Sequence, residues 1–187
     1  MSACEHLAKE CNASLVYQGV NGMRIWYYGG KNPLAILQRS AKAVNVKRGD
    51  HLVFPSPERR EAWAKEQIDK AEAMARRRSE AKRANLEHRT SLNVDDILYC
   101  TWGWEQTNVE FAQVVKVLPS GKTCKVRHIC SRIEETGAMQ GNAWPLKDNF
   151  KGPEHLFRPR VGDCGKIGDR HFSPMGDKLK IGCSWYA

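Results

Sequence analysis

Apolar and polar positions alternate in short runs through the first fifty residues. SLVYQG (residues 14–19) and MRIWYY (residues 23–28) flank Asn21-Gly22, a pair that tolerates the positive φ angles a tight hairpin turn requires. Gly29, Gly30 and Pro33 then break the chain, and AILQRSA (residues 35–41) and HLVFP (residues 51–55) read as two further strands. A short helix to about residue 12 precedes them. The pattern predicts a small aromatic β lobe over residues 1–55.

The period changes at Ser56-Pro57. Serine is a favoured helix cap and proline suits the first helical position. From there to about residue 88 the chain is almost entirely Ala, Glu, Lys, Arg and Gln, with neither glycine nor a further proline. A helix of about 30 residues and about 45 Å is predicted, assigned to residues 56–89. Its apolar seam of Trp63, Ala64, Ile68, Ala71 and Ala75 keeps helical spacing only through the first half. The first turns are expected to pack on the lobe and the last to project.

Beyond RTSLNVDD (residues 89–96), strand-like runs return near residues 97–102, 109–118 and 122–130, separated by GWEQTN and by the turn PSGK. Further strands are expected in HLFRPRV (155–161), CGKIG (164–168) and KLKIGCSWY (178–186). Short strands with tight turns predict a small SH3-like β-barrel over residues 92–187. The expected fold class is α+β: a small N-terminal β lobe, a long charged helix and a C-terminal barrel.

Composition adds limits. The 187 residues are 41% hydrophobic with six tryptophans, enough for packed cores. No apolar run approaches the ~20 residues of a membrane span, and the segment MSACEHLAKE has no apolar signal region. A soluble protein of the bacterial cytoplasm is expected, with no membrane partner. The seven cysteines form no CxxC pair and are read as reduced thiols. Cys4, His6 and Cys11, or Cys124, His128 and Cys130, have the residue types of partial metal sites. On a strand, however, positions 124, 126, 128 and 130 share one face with Val126 among them, which is the pattern of a core-facing stripe. No metal or cofactor is assigned.

Charge points to a class of partner. Thirty basic against 21 acidic side chains give +9. Residues 1–55, 56–91 and 92–187 carry +4, +3 and +2. Residues 11–49 contain no Asp or Glu, yet hold Arg24, Lys31, Arg39, Lys42, Lys47 and Arg48, interleaved with Trp26, Tyr27 and Tyr28. The helix is near neutral over residues 56–75 and then basic, with Arg76, Arg77, Arg78, Lys82 and Arg83 against Glu80 and Glu87. Such a surface attracts polyanions. The competing reading of the helix is a solvated connector laced with Glu/Arg pairs.

The string DILYCTWGWEQTNVEFAQVVKV (residues 96–117) resembles the signature of a group of phage and plasmid proteins. In these an Asp-Ile-Leu strand leads into Trp-Gly-aromatic-acid-Gln-Thr-Asn. FPSPERREAW (residues 54–63) and the ending CSWYA (residues 183–187) are similar to the helix opening and the aromatic end of that group, whereas Ala112 and Trp104 depart from its usual aromatic and tyrosine. The resemblance implies a mobile-element accessory protein active in DNA handling or against host defence. It supplies no catalytic residue.

Within that string, Trp102, Trp104, Gln106 and Asn108 form a secondary candidate loop, with amides to contact bases or peptide and aromatics to stack. The structural alternative is favoured: Thr107 and Asn108 satisfy loop backbone groups while the tryptophans fill the barrel. Catalytic templates are missing. There is no GxSxG, HExxH or dinucleotide loop, and GDCGK (residues 162–166) fails as a phosphate loop because Arg160 and Ile167 occupy required positions. Glu105 with Glu110, or Asp163 with Asp169, are candidate acid pairs that no spacing demands. The leading expectation is a non-enzymatic mobile-element protein that binds nucleic acid or a nucleoprotein through the lobe and helix. The alternative is an inhibitor of a host defence system, of anti-CRISPR or anti-restriction type, acting by protein contact.

Overall fold

The computed structural model describes residues 2–29, 32–42 and 50–186. It has α+β architecture, with two helices and two antiparallel sheets, and divides into two compact units, residues 1–82 and 83–187.

The first unit opens with α1 (Ala3–Glu10), started by a reciprocal cap. The Glu5 amide donates to Ser2 Oγ at 3.2 Å, and the Ser2 amide donates to the Glu5 carboxylate at 2.6 Å. Strands β1 (Ser14–Gln18), β2 (Arg24–Tyr28), β3 (Leu34–Gln38) and β4 (His51–Val53) then form a sheet in that order. Asn21 and Gly22 turn the first hairpin at φ 56° and 74°, as the sequence predicts. Alternation along β2 and β3 separates two cores. Trp26 and Ile36 meet Cys4 and Ala8 of α1, whereas Met23, Ile25 and Leu37 meet the second helix.

That helix, α2, runs Pro57–Glu87 over 31 residues. Ser56 Oγ accepts from the Arg59 amide at 3.4 Å, so the predicted cap is formed. Ala64 is buried on the sheet, with Trp63, Ile68 and Ala71 packed around it, and Trp63 also meets Phe54 with ring centroids 5.2 Å apart. From residue 76 to 84 every side chain is exposed. Among the described residues no helix is long and apolar enough to cross a membrane.

The second unit is a seven-stranded antiparallel sheet of β5 (Ile97–Trp102), β6 (Asn108–Val117), β7 (Cys124–Gly137), β8 (Gln140–Phe157), β9 (Gly165–Ile167), β10 (Arg170–Pro174) and β11 (Ile181–Ser184). Its order is β11-β8-β7-β6-β5-β10-β9, and no ladder among the described residues joins β9 back to β11. Both faces of the central strands are packed. Leu98, Cys100, Ala112, Val114 and Val126 meet Phe157, Ile167 and Phe172 in one core; Phe111 and Ile129 meet Met175, Cys183 and Ala143 in the other.

Two features depart from the pattern in the sequence. Strand β8 reaches 18 residues, although Pro145, Gly152 and Pro153 read as breakers. Register shifts against β7 after Arg127, Ile129 and Glu135 absorb the irregularities, and Pro145 stands opposite Ser131 within the ladder. The shift after Arg127 also interrupts the stripe expected at 124–130. Cys124 and Val126 are fully buried, but Ile129 takes the next buried position and leaves His128 and Cys130 half-buried. His128 packs edge-on to Phe172 and His155, and burial holds its pKa below the ordinary histidine value. All seven cysteines are free thiols, and burial raises the pKa of Cys4, Cys100, Cys124 and Cys183.

Gln113 is a polar side chain in the core, 1% exposed. Its Nε2 donates to Asp95 Oδ1 at 2.9 Å and to Asp148 Oδ1 at 2.8 Å, and its Oε1 accepts from the Asp148 amide at 2.9 Å. Both aspartates sit at positive φ, 76° and 62°, so the glutamine ties two tight turns to the middle of the sheet. Gln113→Leu keeps the volume but loses three hydrogen bonds, two of them to carboxylates, and a loss of about 2–3 kcal/mol in urea denaturation is expected.

Candidate nucleic-acid interface

The distal turns of α2 carry an uncovered cluster of positive charge. Arg76, Arg77, Arg78, Lys82 and Arg83 are exposed, and none makes a hydrogen bond or ion pair among the described residues. Successive helical side chains turn by ~100°, so the five cations spread around the cylinder. One line along the helix is informative: positions 64, 68, 71, 75, 78 and 82 are spaced by alternating fours and threes. The stripe that is apolar through Ala64, Ile68, Ala71 and Ala75 therefore continues as Arg78 and Lys82. Glu80 and Glu87 share the cylinder, and Arg83 is the first residue of the second unit.

In the β lobe the sequence candidates fare differently. Arg24 is half-buried with a terminal guanidinium nitrogen on the Glu5 carboxylate, and its Nε is buried without a partner. Arg39 Nε donates to the buried Asp50 at 2.9 Å. Both carboxylates lie just outside the acid-free run, so that run is not acid-free in space. Trp26 is buried, 6% exposed, under α1. Tyr28 is half-buried with its ring stacked on His51 and its hydroxyl on His51 Nε2; burial first, then the neighbouring Cys11, pushes its pKa up to about 12. Lys42 is exposed. Lys31, Lys47 and Arg48 lie outside the described residues.

The WGWEQTN loop combines a fixed frame with one free ring. Gly103 sits at φ 126°, and an added Cβ would stand 2.0 Å from the Gln106 carbonyl oxygen, so only glycine fits. Trp102 is half-buried; its indole N–H donates to Glu110 Oε1 at 3.0 Å, and the Arg170 guanidinium lies 3.7 Å from its ring centre. Trp104 is 99% exposed and fills no core, contrary to the structural reading of the sequence. Gly103 breaks the strand alternation that would have turned it inward. Gln106 Nε2 donates to Asn108 Oδ1 at 3.2 Å, while Asn108 Nδ2 is buried without a partner.

Thr107 is held through its backbone, by a partner outside the loop. Its N–H donates to the Ser184 carbonyl at 3.1 Å and its own carbonyl accepts from the Ser184 N–H at 3.0 Å. The exchange brings residues 183–186 against the loop. Between them lies a slot of about 330 Å³ bordered by Trp102, Asn108, Glu110, Ser131, Ser184 and Trp185. Arg170, Ser184 and Trp185 join the site without any signal in the sequence, since no spacing reveals that residues this distant meet.

One member of each candidate acid pair is engaged elsewhere. Glu110 holds Trp102, and Asp163 is enclosed by the segment after α2. It accepts from His88 Nε2 at 2.9 Å, Thr90 Oγ1 and Ser91 Oγ at 2.6 Å each, and the Ser91 amide at 3.1 Å. Among the described residues no group of three or more His, Cys, Asp or Glu could hold a metal ion. No protein-family model matches the chain, and no curated protein or solved structure matches it.

Proposed function

We propose that the chain is a non-enzymatic accessory protein of a mobile element that binds nucleic acid, alone or within a nucleoprotein complex, in the bacterial cytoplasm. The observation that carries the reading is the exposed, unpaired cluster Arg76, Arg77, Arg78, Lys82 and Arg83 on two turns of α2. Cations spread around a free helical surface offer contacts to a backbone that wraps it, and each phosphate neutralised releases counterions. The likeness of residues 96–117 to phage and plasmid proteins supports the genomic setting. We read the second unit as an SH3-like barrel, a reading supported by the return of β11 to the start of β6 through Thr107 and Ser184.

Fluorescence anisotropy with labelled DNA and RNA across a salt series tests the binding. The expected result is a linear fall of log affinity with log salt, with a slope of about −0.9 per duplex phosphate contacted, or about −0.7 for single strands. Absence of binding to DNA and RNA at low salt would sink the proposal.

A second reading, inhibition of a host defence system by protein contact, draws on Trp104, since a wholly exposed tryptophan is a frequent anchor at protein interfaces. Capture from host lysate treated with nuclease separates the two: a protein partner retained after treatment favours this one.

A further inference from the structure

Strands β6 and β7 separate where the Trp-rich loop begins. Their ladder ends at Phe111 opposite Ile129, so residues 108–110 and, across from them, Ser131 and Ile133 border the 330 Å³ slot instead of pairing across it. Its volume is at the small end of ligand sites, large enough for one planar heterocycle. Two indoles, Trp102 and Trp185, border it together with the acceptors of Glu110, Ser131 and Ser184. Outside it, Trp104 presents a free ring on a loop held by Gly103 and by the Thr107–Ser184 exchange.

Local charge decides what these groups would meet. Glu105 and Glu110 flank the aromatic residues in the chain, and the Arg170 guanidinium is laid over the Trp102 ring, while that of Arg132 lies 5.9 Å from the Trp144 ring centre. Carboxylates repel phosphate but accept from the N–H groups of a base, and exposed indoles stack on base faces. A duplex hides those faces and edges, whereas an unpaired strand offers both.

We infer that the loop and slot bind the bases of single-stranded nucleic acid, one unstacked base entering between β6 and β7 and a neighbouring base stacking on Trp104. The inference rests on the nucleic-acid reading and narrows it: α2 supplies charge contacts to phosphate, and the second unit supplies the preference for unpaired bases.

The test compares a 12-nucleotide single strand with its duplex, at one salt concentration, against the full chain. Trp104→Ala cannot disturb packing, because the side chain touches almost nothing. It is expected to weaken single-strand binding by about tenfold, within the roughly 5- to 150-fold range of one lost base stack, and to leave duplex affinity and the salt slope unchanged. Trp104→Phe should restore most of the loss. Ser131→Trp, a substitution at the exposed rim of the slot, should weaken single strands by a similar factor. Unchanged single-strand affinity in Trp104→Ala, or an equal loss for duplex, overturns the inference while leaving the charge contacts of α2 standing; an unchanged Ser131→Trp removes the slot from it. If Trp104→Ala abolishes capture of a nuclease-resistant protein partner and leaves nucleic-acid affinity intact, the loop is a protein contact and the inference falls. Absence of any nucleic-acid binding overturns both readings together.

Discussion

Alanine in place of Asp163 is expected to destabilise the second unit by about 3–5 kcal/mol, a larger loss than that expected for Gln113→Leu. The carboxylate is 6% exposed and accepts four hydrogen bonds, which fasten residues 88–91 to the loop before β9. Removing it takes the shared acceptor away from two hydroxyls, an imidazole and an amide. It also places a Cβ-bearing side chain without polar atoms at φ 55°, where aspartate and asparagine are better tolerated. Asp163→Asn is the informative companion, since it keeps the backbone preference and one acceptor but loses the charge.

Burial opposes ionisation of Asp163, but the hydrogen bonds from Ser91, Thr90 and His88 outweigh it and hold the pKa below the ordinary aspartate value. The unfolded chain, with an aspartate pKa of about 3.9, therefore takes up the proton at higher pH than the folded one. The stabilisation is fully present above that unfolded value and is lost as pH falls through the lower folded value. Denaturant titrations between neutral pH and pH 3 should show the wild type losing stability on acidification more steeply than Asp163→Asn. Parallel curves would remove the charge from the account. Amide exchange at Ser91 gives a local readout of the same contact, with protection expected to drop in both variants.

The second large effect belongs to α2. Alanine at Arg76, Arg77, Arg78 and Lys82 together is expected to lower nucleic-acid affinity roughly 10²- to 10³-fold near physiological salt and to flatten the salt slope by about three units. Alanine is the strongest helix former and these side chains have no partners to lose, so helicity by circular dichroism should be unchanged. Lys42→Ala, at a single exposed cation of the lobe outside the α2 cluster, should change affinity by a small factor only. A quadruple variant that binds with wild-type affinity and slope would place the contact elsewhere.

Local chemistry is legible in the residues wherever it acts over a few positions. Asn21-Gly22 turns the hairpin, Ser56-Pro57 starts the long helix, and alternation locates β5, β6 and the beginning of β7. What depends on distant partners is hidden. Glu5 and Asp50 neutralise arginines in a run that contains no acid of its own. Two prolines and a glycine that read as breakers lie inside β8, because register shifts against β7 accommodate them. In the Trp-Gly-Trp string, the positive φ of Gly103 sends one indole into the fold and the other into solvent, so two residues of the same type acquire opposite roles. The distal cations of α2 are legible as charge; that they stay unpaired depends on the positions of every nearby carboxylate.

The exchange between Thr107 and Ser184 has a consequence for how the chain is made. The two residues are 77 positions apart, and at synthesis rates of about 5–20 residues per second the loop waits roughly 4–15 s for the strand that completes it. During that interval the start of β6 is an unpaired edge beside an exposed tryptophan. A nascent chain therefore carries an aromatic loop with no slot beside it, and the surface proposed to bind bases comes into being only when β11 emerges from the ribosome and docks.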